Sequence, residues 1–487
     1  MSKIFIIIGV LGIISVSLYF IIARNNQTTT VPVLKRTIIC PSPWDKKWAS
    51  PQDTEIKNPR TVYYVSNSAG NDSNSGVSVG SPWKTLKRVN SKTFSPGDIV
   101  LFKRGDRWNE ALIPPTSGET EKPILYGAYG GEKGRPIIET NRWGQEAAIL
   151  IAGKNHLIFN NLDIRNAQFG IQIINSDFLI FDHMTIGLDV RDVGILINND
   201  SDNGVIQYSV IDGGTAVRTE RDMINFQDGS GWEIHHNLIA NFGHDGINLL
   251  GRISNYHDVE AHVTKNDIHH NEFFNNLDYG RAFSTQGNGP GYASFNRFYD
   301  NYIHNVQVSI QLQGDHNEVY RNVITDVRKS PQKSDDEIFQ VAGLSIQDYI
   351  YSEKNKVYEN IIAYTDGPGI VVSSRESGNE IRNNFIYSAG EHRGDTRALY
   401  NIGLYIPEKT LKNSFTPGAQ IYEKNSIYSP HTKNTVLYRG LHYGNSSSIT
   451  VAAFNKRNGD NKDLIIKNSG QKFSLTNDCK ARIENSE

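Results

Sequence analysis

Glu233–Ile239 reads EIHHNLI and Asp267–Phe273 reads DIHHNEF. Set in register with IFNNLDI (158–164), IFDHMTI (180–186), VIQYSVI (205–211), VYRNVI (319–324), VYENII (357–362) and IRNNFI (381–386), they form one repeated line. A column of that alignment becomes asparagine: Asn237, Asn271, Asn301, Asn322, Asn360, Asn384 and Asn425. The steps between these run from 21 to 41 residues, so the variation sits in the connections. Between the lines lies a second motif: GIQI from 170, GILI from 194, MINF from 223, GINL from 246, SIQL from 309, GLSI from 343, GIVV from 369 and GLYI from 403.

Two short alternating strands per repeat, joined by Gly/Asn turns, predict a solenoid. One coil cannot bury its apolar face alone, and stacking at ~4.8 Å per coil makes a continuous core. About ten coils are expected, an all-β parallel helix of strands. The Asn column fits this geometry, because asparagine tolerates left-handed backbone at a tight bend and can bond its equivalents above and below. A ladder outweighs a ligand role there. His235-His236 and His269-His270 suggest a metal, but neighbours on a strand point to opposite faces, so each pair is expected to split. His236 and His270 then share a column one coil apart, and a plain stack is the simpler reading.

The chain has 487 residues, 50 Lys and Arg against 52 Asp and Glu, and a formal charge of −2. The basic residues are scattered with no stripe, which argues against a nucleic-acid partner. Cys40 and Cys479 are the two cysteines; they make no disulfide framework, and spacing leaves open whether they pair. Residues 4–23 form an uncharged apolar run of 20 residues, ending at Arg24. At ~1.5 Å per residue the run matches a bilayer's hydrocarbon thickness. It is long for a signal peptide and no small-x-small site follows, so an uncleaved anchor is preferred to cleavage and secretion. The polar body then lies outside the cytoplasm, tethered to the cell membrane. Acceptor patterns at Asn26, Asn71, Asn199 and Asn445 are compatible with that side. The expected organisation is an anchor at 1–24, a linker at 25–60, a cap and first coils at 61–136, repeats at 137–440 and a closing segment at 441–487.

Order begins at VYYV (62–65), followed by a turn cluster and SPWKTLKRVN, with Ser81 as the expected N-cap of a short helix and Pro82 at its first position. The succession YYV, GNDSNSG (70–76), PWKTL (82–86) and PGDIVLFKRG (96–105) closely resembles the N-terminal cap of right-handed parallel β-helix proteins, the pectate lyase-like superfamily. Residues 447–485 resemble the closing segment of such domains. That superfamily includes pectate lyases, chondroitinase B-like lyases and mannuronan epimerases, so the resemblance implies a β-helix and activity on polysaccharides. It hands over no catalytic residue: the D-P-H-D run of characterised members is absent. The fold also hosts non-enzymatic surface proteins, so a glycan-binding or structural role stands beside the enzymatic one.

Candidate chemistry comes from register. With Ile224, Ile247, Phe283, Ile310 and Leu344 inward, one outward column reads Asn225, Asn248, Ser284, Gln311, Ser345 and the next Gln227, Leu250, Gln286, Gln313, Gln347. These amides and hydroxyls predict a solvated strip suited to a hydroxyl-rich glycan. Ahead of the same strands, Asp222, Asp245 and Arg281 fall in one column, with Arg221 and His244 beside it. Coils stack about 5 Å apart, so these five groups lie within reach of one sugar. The long connections nearby contribute His257, Asp258, Glu260, Tyr279 and Tyr292 as walls.

Uronate elimination or epimerisation needs a cation, or Ca²⁺, to neutralise a carboxylate and a base to take the neighbouring proton. Arg281 or Arg221 suits the first role and His244 the second, with Asp222 and Asp245 orienting them or holding Ca²⁺. Glycoside hydrolysis needs two carboxyl groups, and Asp222 with Asp245 suits the retaining separation. The bland alternative is that both aspartates cap turns.

Overall fold

The computed structural model describes residues 58–131, 134–140, 144, 147–214, 221–251, 261–276, 280–287, 290–328, 341–347, 352–374 and 378–389. Beyond these it describes 404–405, 420–423, 425–429, 436–440, 446–450, 465–468, 471–475 and 481–485. The apolar run at 4–23, the linker, Tyr279, the wall residues 257–260 and both cysteines lie outside the described residues. Among the described residues no helix is long and apolar enough to cross a membrane.

Each repeated line breaks into two strands, not one. EIHHNLI supplies Glu233–His235 to one sheet and Leu238–Ala240 to another, and the Gly-Ile-Asn-Leu motif supplies a third strand, Asp245–Gly251. Stacking gives two sheets of thirteen strands and one of twelve, with parallel pairing from coil to coil. The chain is thus a parallel β-helix, wound right-handed as crossovers between twisted parallel strands are. The twelve-stranded sheet ends in an antiparallel pair, Val436–Gly440 with Ser446–Thr450, and a separate hairpin pairs Gln471–Leu475 with Ala481–Asn485.

The corner explains the third strand. His236, His270, Asp300, Arg321, Glu359 and Asn383 have φ between +51° and +57°. The left-handed residue is therefore the one before each ladder asparagine, not the asparagine itself. It turns the chain, and the Asn that follows points inward. Asn237 Nδ2 donates to Asn271 Oδ1 at 3.0 Å, and the pattern continues through Asn301, Asn322, Asn360 and Asn384 to Asn425. Each Oδ1 also accepts a backbone N–H from the coil before it, as Asn271 Oδ1 does from Asn237 N at 3.0 Å. A second ladder runs through Asn266, Asn296, Asn317, Asn355 and Asn379. Its members stand five residues ahead of the first ladder's from Asn271 to Asn384.

The same left-handed corner corrects the histidine expectation. Because His236 is turned, the pair does not split: His235 and His236 meet at 2.8 Å between their Nδ1 atoms, as do His269 and His270. His236 stacks on His270 with centroids 5.1 Å apart, and His235 on His269 at 5.2 Å.

The interior is apolar. Ile171, Ile195, Ile224, Ile247, Phe283, Ile310, Leu344 and Ile370 form one column, each at most 1% exposed. Burial of each such side chain contributes ~1.5–3 kcal/mol. At the N-terminal end the helix spans Leu86–Asn90 and its N-cap is Thr85, whose hydroxyl accepts from Arg88 N at 3.1 Å. Ser81 and Pro82 stay outside the helix because Trp83 is drawn into a bridge with the first strand: Trp83 N donates to Tyr64 O at 2.9 Å. Trp83, Leu86, Val89 and Phe94 close the core.

Candidate active site

Asp222, His244, Asp245 and Arg281 converge on the outer face of the twelve-stranded sheet. Register places Asp245 opposite Arg281, and His244 N donates to Arg221 O at 2.9 Å, aligning the two coils. Asp222 lies on the strand before, Asp222–Phe226. Glycines make the close stacking possible: a Cβ on Gly246 would lie 2.5 Å from Ala282 O, and one on Gly280 only 1.1 Å from His244 O. No side chain fits at Gly280 without displacing His244.

Asp222 is the hub. Its Oδ1 accepts from His244 Nδ1 at 2.7 Å and from Asp245 N at 2.9 Å, while its Oδ2 accepts from the amides of Asn225 and Asn248. Asp245 is fully buried, with Oδ1 accepting from Arg281 Nε at 2.7 Å and Arg281 N at 3.0 Å. Its Oδ2 takes Arg281 Nη2 at 3.0 Å and Ser284 Oγ at 2.8 Å. Arg281 reaches on to Gln311 Oε1 at 3.3 Å.

With Nδ1–H committed to Asp222, His244 Nε2 carries a lone pair and accepts from Arg281 Nη2 at 2.9 Å. The His244 side chain is 29% exposed and that of Arg281 13%, against 6% and 0% for the two aspartates. Imidazole and guanidinium therefore face outward, and the carboxylates stand behind them. The hydrogen bond to Asp222 raises the His244 pKa above its ordinary value; burial opposes, the Asp245 and Asp222 charges add, and Arg281 subtracts. Burial pushes the Asp245 carboxyl up, against the pull of Arg281.

Arg221 is not part of this surface. It is fully buried, donating to Val190 O at 3.3 Å and to Asn241 O at 3.2 Å, because its place in the chain precedes the strand and falls on the inner side. The amide strip is also not solvated as expected: Asn225, Asn248, Ser284, Gln311 and Ser345 are all 8% exposed or less. They form a buried polar layer, in which Asn225 Oδ1 has no hydrogen-bond partner. Gln286 and Gln313 lie in register with each other in the next, half-buried column. Tyr292 is buried and stacks on His262 at 5.0 Å. Ser284, expected in the polar strip, holds Asp245, and Gly280, against His244, belongs to no sequence motif.

One carboxylate oxygen each from Asp222 and Asp245 and one nitrogen of His244 lie within 4.8 Å of one another, a spacing that a metal could bridge. Calcium, however, takes about six to eight oxygen ligands. Here one donor is a ring nitrogen, the carboxylate oxygens already accept hydrogen bonds, and the Arg281 guanidinium supplies the positive charge. The cluster does not fit calcium.

The fold and this cluster define the class: a parallel β-helix with a His–Arg pair on its exposed sheet. No protein-family model matches the chain. A stretch of 131 residues is 32% identical to lacto-N-biosidase of Bifidobacterium longum subsp. longum, covering 22% of this chain and 8% of that much longer protein. The crystal structure of GH136 lacto-N-biosidase from Eubacterium ramulus superposes with a TM-score of 0.46 at 16% identity, over 75% of this chain and 68% of that one. An alginate lyase from Paenibacillus gives 0.42 at 14% identity, over 63% and 94%. A pectate lyase gives 0.36 at 14%, over 78% and 82%.

Proposed function

We propose that this chain is a glycan-active enzyme, a lyase or epimerase on uronate-containing polysaccharide, held at the outer face of the cell membrane by residues 4–23. The observation that carries the reading is the His244 Nε2–Arg281 Nη2 contact at 2.9 Å. A sugar carboxylate accepting from the guanidinium displaces that contact and brings its neighbouring C–H to Nε2. His244 then takes the C5 proton, the C–H electron pair forms the C4–C5 double bond, and the C4–O bond breaks with its pair going to the departing oxygen. That oxygen receives the proton back. In an epimerase the proton returns to the opposite face of C5 from solvent, and no bond to the next sugar breaks. Asp222 holds the imidazole tautomer, and Asp245, itself held by Ser284, holds Arg281. A general base of this kind is worth ~10²–10⁴ in rate. Arg281 supplies the positive charge that calcium would otherwise bring, and a chelator arm tests whether the ion is needed.

A second reading, glycoside hydrolysis, is favoured by the similarity to lacto-N-biosidase and by the closeness of Asp222 and Asp245. It asks Asp245 to meet a glycosidic oxygen, and that side chain is fully buried with both oxygens occupied. The experiment incubates the chain with acidic and neutral glycans, with Ca²⁺ or chelator, beside His244→Ala and Arg281→Ala. Ultraviolet-absorbing unsaturated ends lost in both variants support the lyase. Changed uronate stereochemistry without new ends means the epimerase, and new reducing ends without absorbance mean the hydrolase. Glycan retention without any product, unaltered in both variants, leaves a binding protein and overturns the enzymatic reading.

A further inference from the structure

We infer that the concavity between the N-terminal cap and the start of the same sheet is a distal subsite for a sugar of the glycan chain, so that the chain reads substrate length as well as chemistry. The inference rests on the functional reading above. The open concavity holds about 430 Å³, room for more than one sugar ring. Its floor is Leu150 and Gln172; its wall is the cap, with Lys87, Glu110 and Ala111.

Register ties this cavity to the site. Leu150 pairs with Gln172, Gln172 with Leu196, Leu196 with Asn225 and Asn225 with Asn248, so all five lie in one outward column. From Gln172 to Asn248 there are three strand steps, or ~14 Å. A glycan laid along the helix axis from His244–Arg281 therefore reaches the cap after about three strand spacings. The floor between changes character along the way. Near the cap Leu150 and Ile174, half-buried, suit the C–H faces of sugar rings with the Gln172 amide beside them, and carboxylates join the amides at the Asp222 strand.

The wall is built, not incidental. Glu110 is fixed by accepting Lys87 N at 2.9 Å. Asn90 is fixed by donating to Ala111 O at 2.9 Å and accepting from Ile113 N at 2.9 Å. That leaves the Lys87 ammonium to meet a uronate carboxylate and the Gln172 amide to meet hydroxyls. The cap also ends the sheet here, so the glycan chain cannot run farther in this direction.

The test uses the full chain and two probe series, oligogalacturonates and oligomannuronates from dimers to octamers. KM should fall with length, by tenfold or more, up to tetramers or pentamers and then level. Ala111→Trp, which fills the cavity, and Gln172→Ala, which removes its amide, should each flatten that dependence. Length dependence that survives in both folded variants overturns the subsite while leaving the enzymatic reading intact. If nothing is turned over, titration decides: tighter binding of octamers than trimers that is lost in Ala111→Trp supports the subsite, and equal binding in the two chains overturns it. Absence of binding by either series overturns the subsite together with the reading it rests on.

Discussion

Replacing Asn322 by alanine removes one rung from the inner ladder. Asn322 is fully buried and makes five bonds. Its Oδ1 accepts from Asn301 N and Nδ2, both at 3.0 Å. Its Nδ2 donates to Phe298 O at 2.9 Å, Tyr320 O at 3.2 Å and Asn360 Oδ1 at 3.0 Å. The losses are unequal. Asn301 Nδ2 keeps Ile268 O and Tyr299 O, each at 3.0 Å, and Asn360 Oδ1 keeps Asn322 N at 3.1 Å. Asn301 N–H, however, is left as a buried donor with nothing to bond. An orphaned donor costs ~1–3 kcal/mol and each ordinary bond lost ~1 kcal/mol, which together give about 3–5 kcal/mol. Urea unfolding of the purified chain, followed by far-ultraviolet circular dichroism, should show that loss, with a shallower transition if the coils on either side uncouple. A shift under about 1 kcal/mol would refute the reasoning: the asparagines would then be corner fillers, and the backbone alone would hold the coils together.

Gly280→Ala places a Cβ 1.1 Å from His244 O, so the His244 coil must shift by an ångström or more. Since misplacement of that size costs ~10²-fold, turnover should fall at least that far, and wild-type turnover would sink the proposed placement of the base. As a base His244 must be neutral, and its hydrogen bond to Asp222 raises its pKa. Activity should therefore rise with pH and level off only above the usual imidazole range near 6.5. Asp222→Asn should move the rising limb to lower pH and lower the plateau; an unmoved limb would count against the pair. His236 is held near pKa 4 by burial and then by its neighbours His235, His270 and His269. Above pH ~6.5 neither folded nor unfolded chain protonates it; between there and pH ~4 the unfolded chain takes up the proton first, so stability falls. His236→Asn, which suits the positive φ, should make thermal stability less sensitive to acid over that window. Deleting residues 1–57 should release the chain from membrane fractions, and retention would remove the proposed anchor.

The cap and the coil repeat were readable because both rest on local rules: alternation fixes which side chains point inward, and stacking needs like residues at like positions. The same rules placed Asp222, Asp245, Arg281 and the amide columns in register. What failed depended on corners. A single left-handed residue, His236 or Arg321, bends the line in two, and no periodicity of two reveals that. It also brings the paired histidines together, and Arg221, one residue ahead of the Asp222 strand, is buried where alternation placed it beside the site. Burial of Asn225 and Asn248 comes from neighbours across coils, which one strand's sequence does not contain.

The stacking has a consequence for how this molecule can change. Each strand pairs with its equivalents in the coils before and after it, so a whole coil can be gained or lost without disturbing the pairing of the rest. Each such event between the cap and the Asp222 strand moves the cap cavity relative to His244 by one strand spacing, ~4.8 Å, about the advance of one sugar along a glycan. Under the proposed function the β-helix would then be a ruler graduated in monosaccharides, its length set by counting coils while the residues at His244 and Arg281 stay untouched.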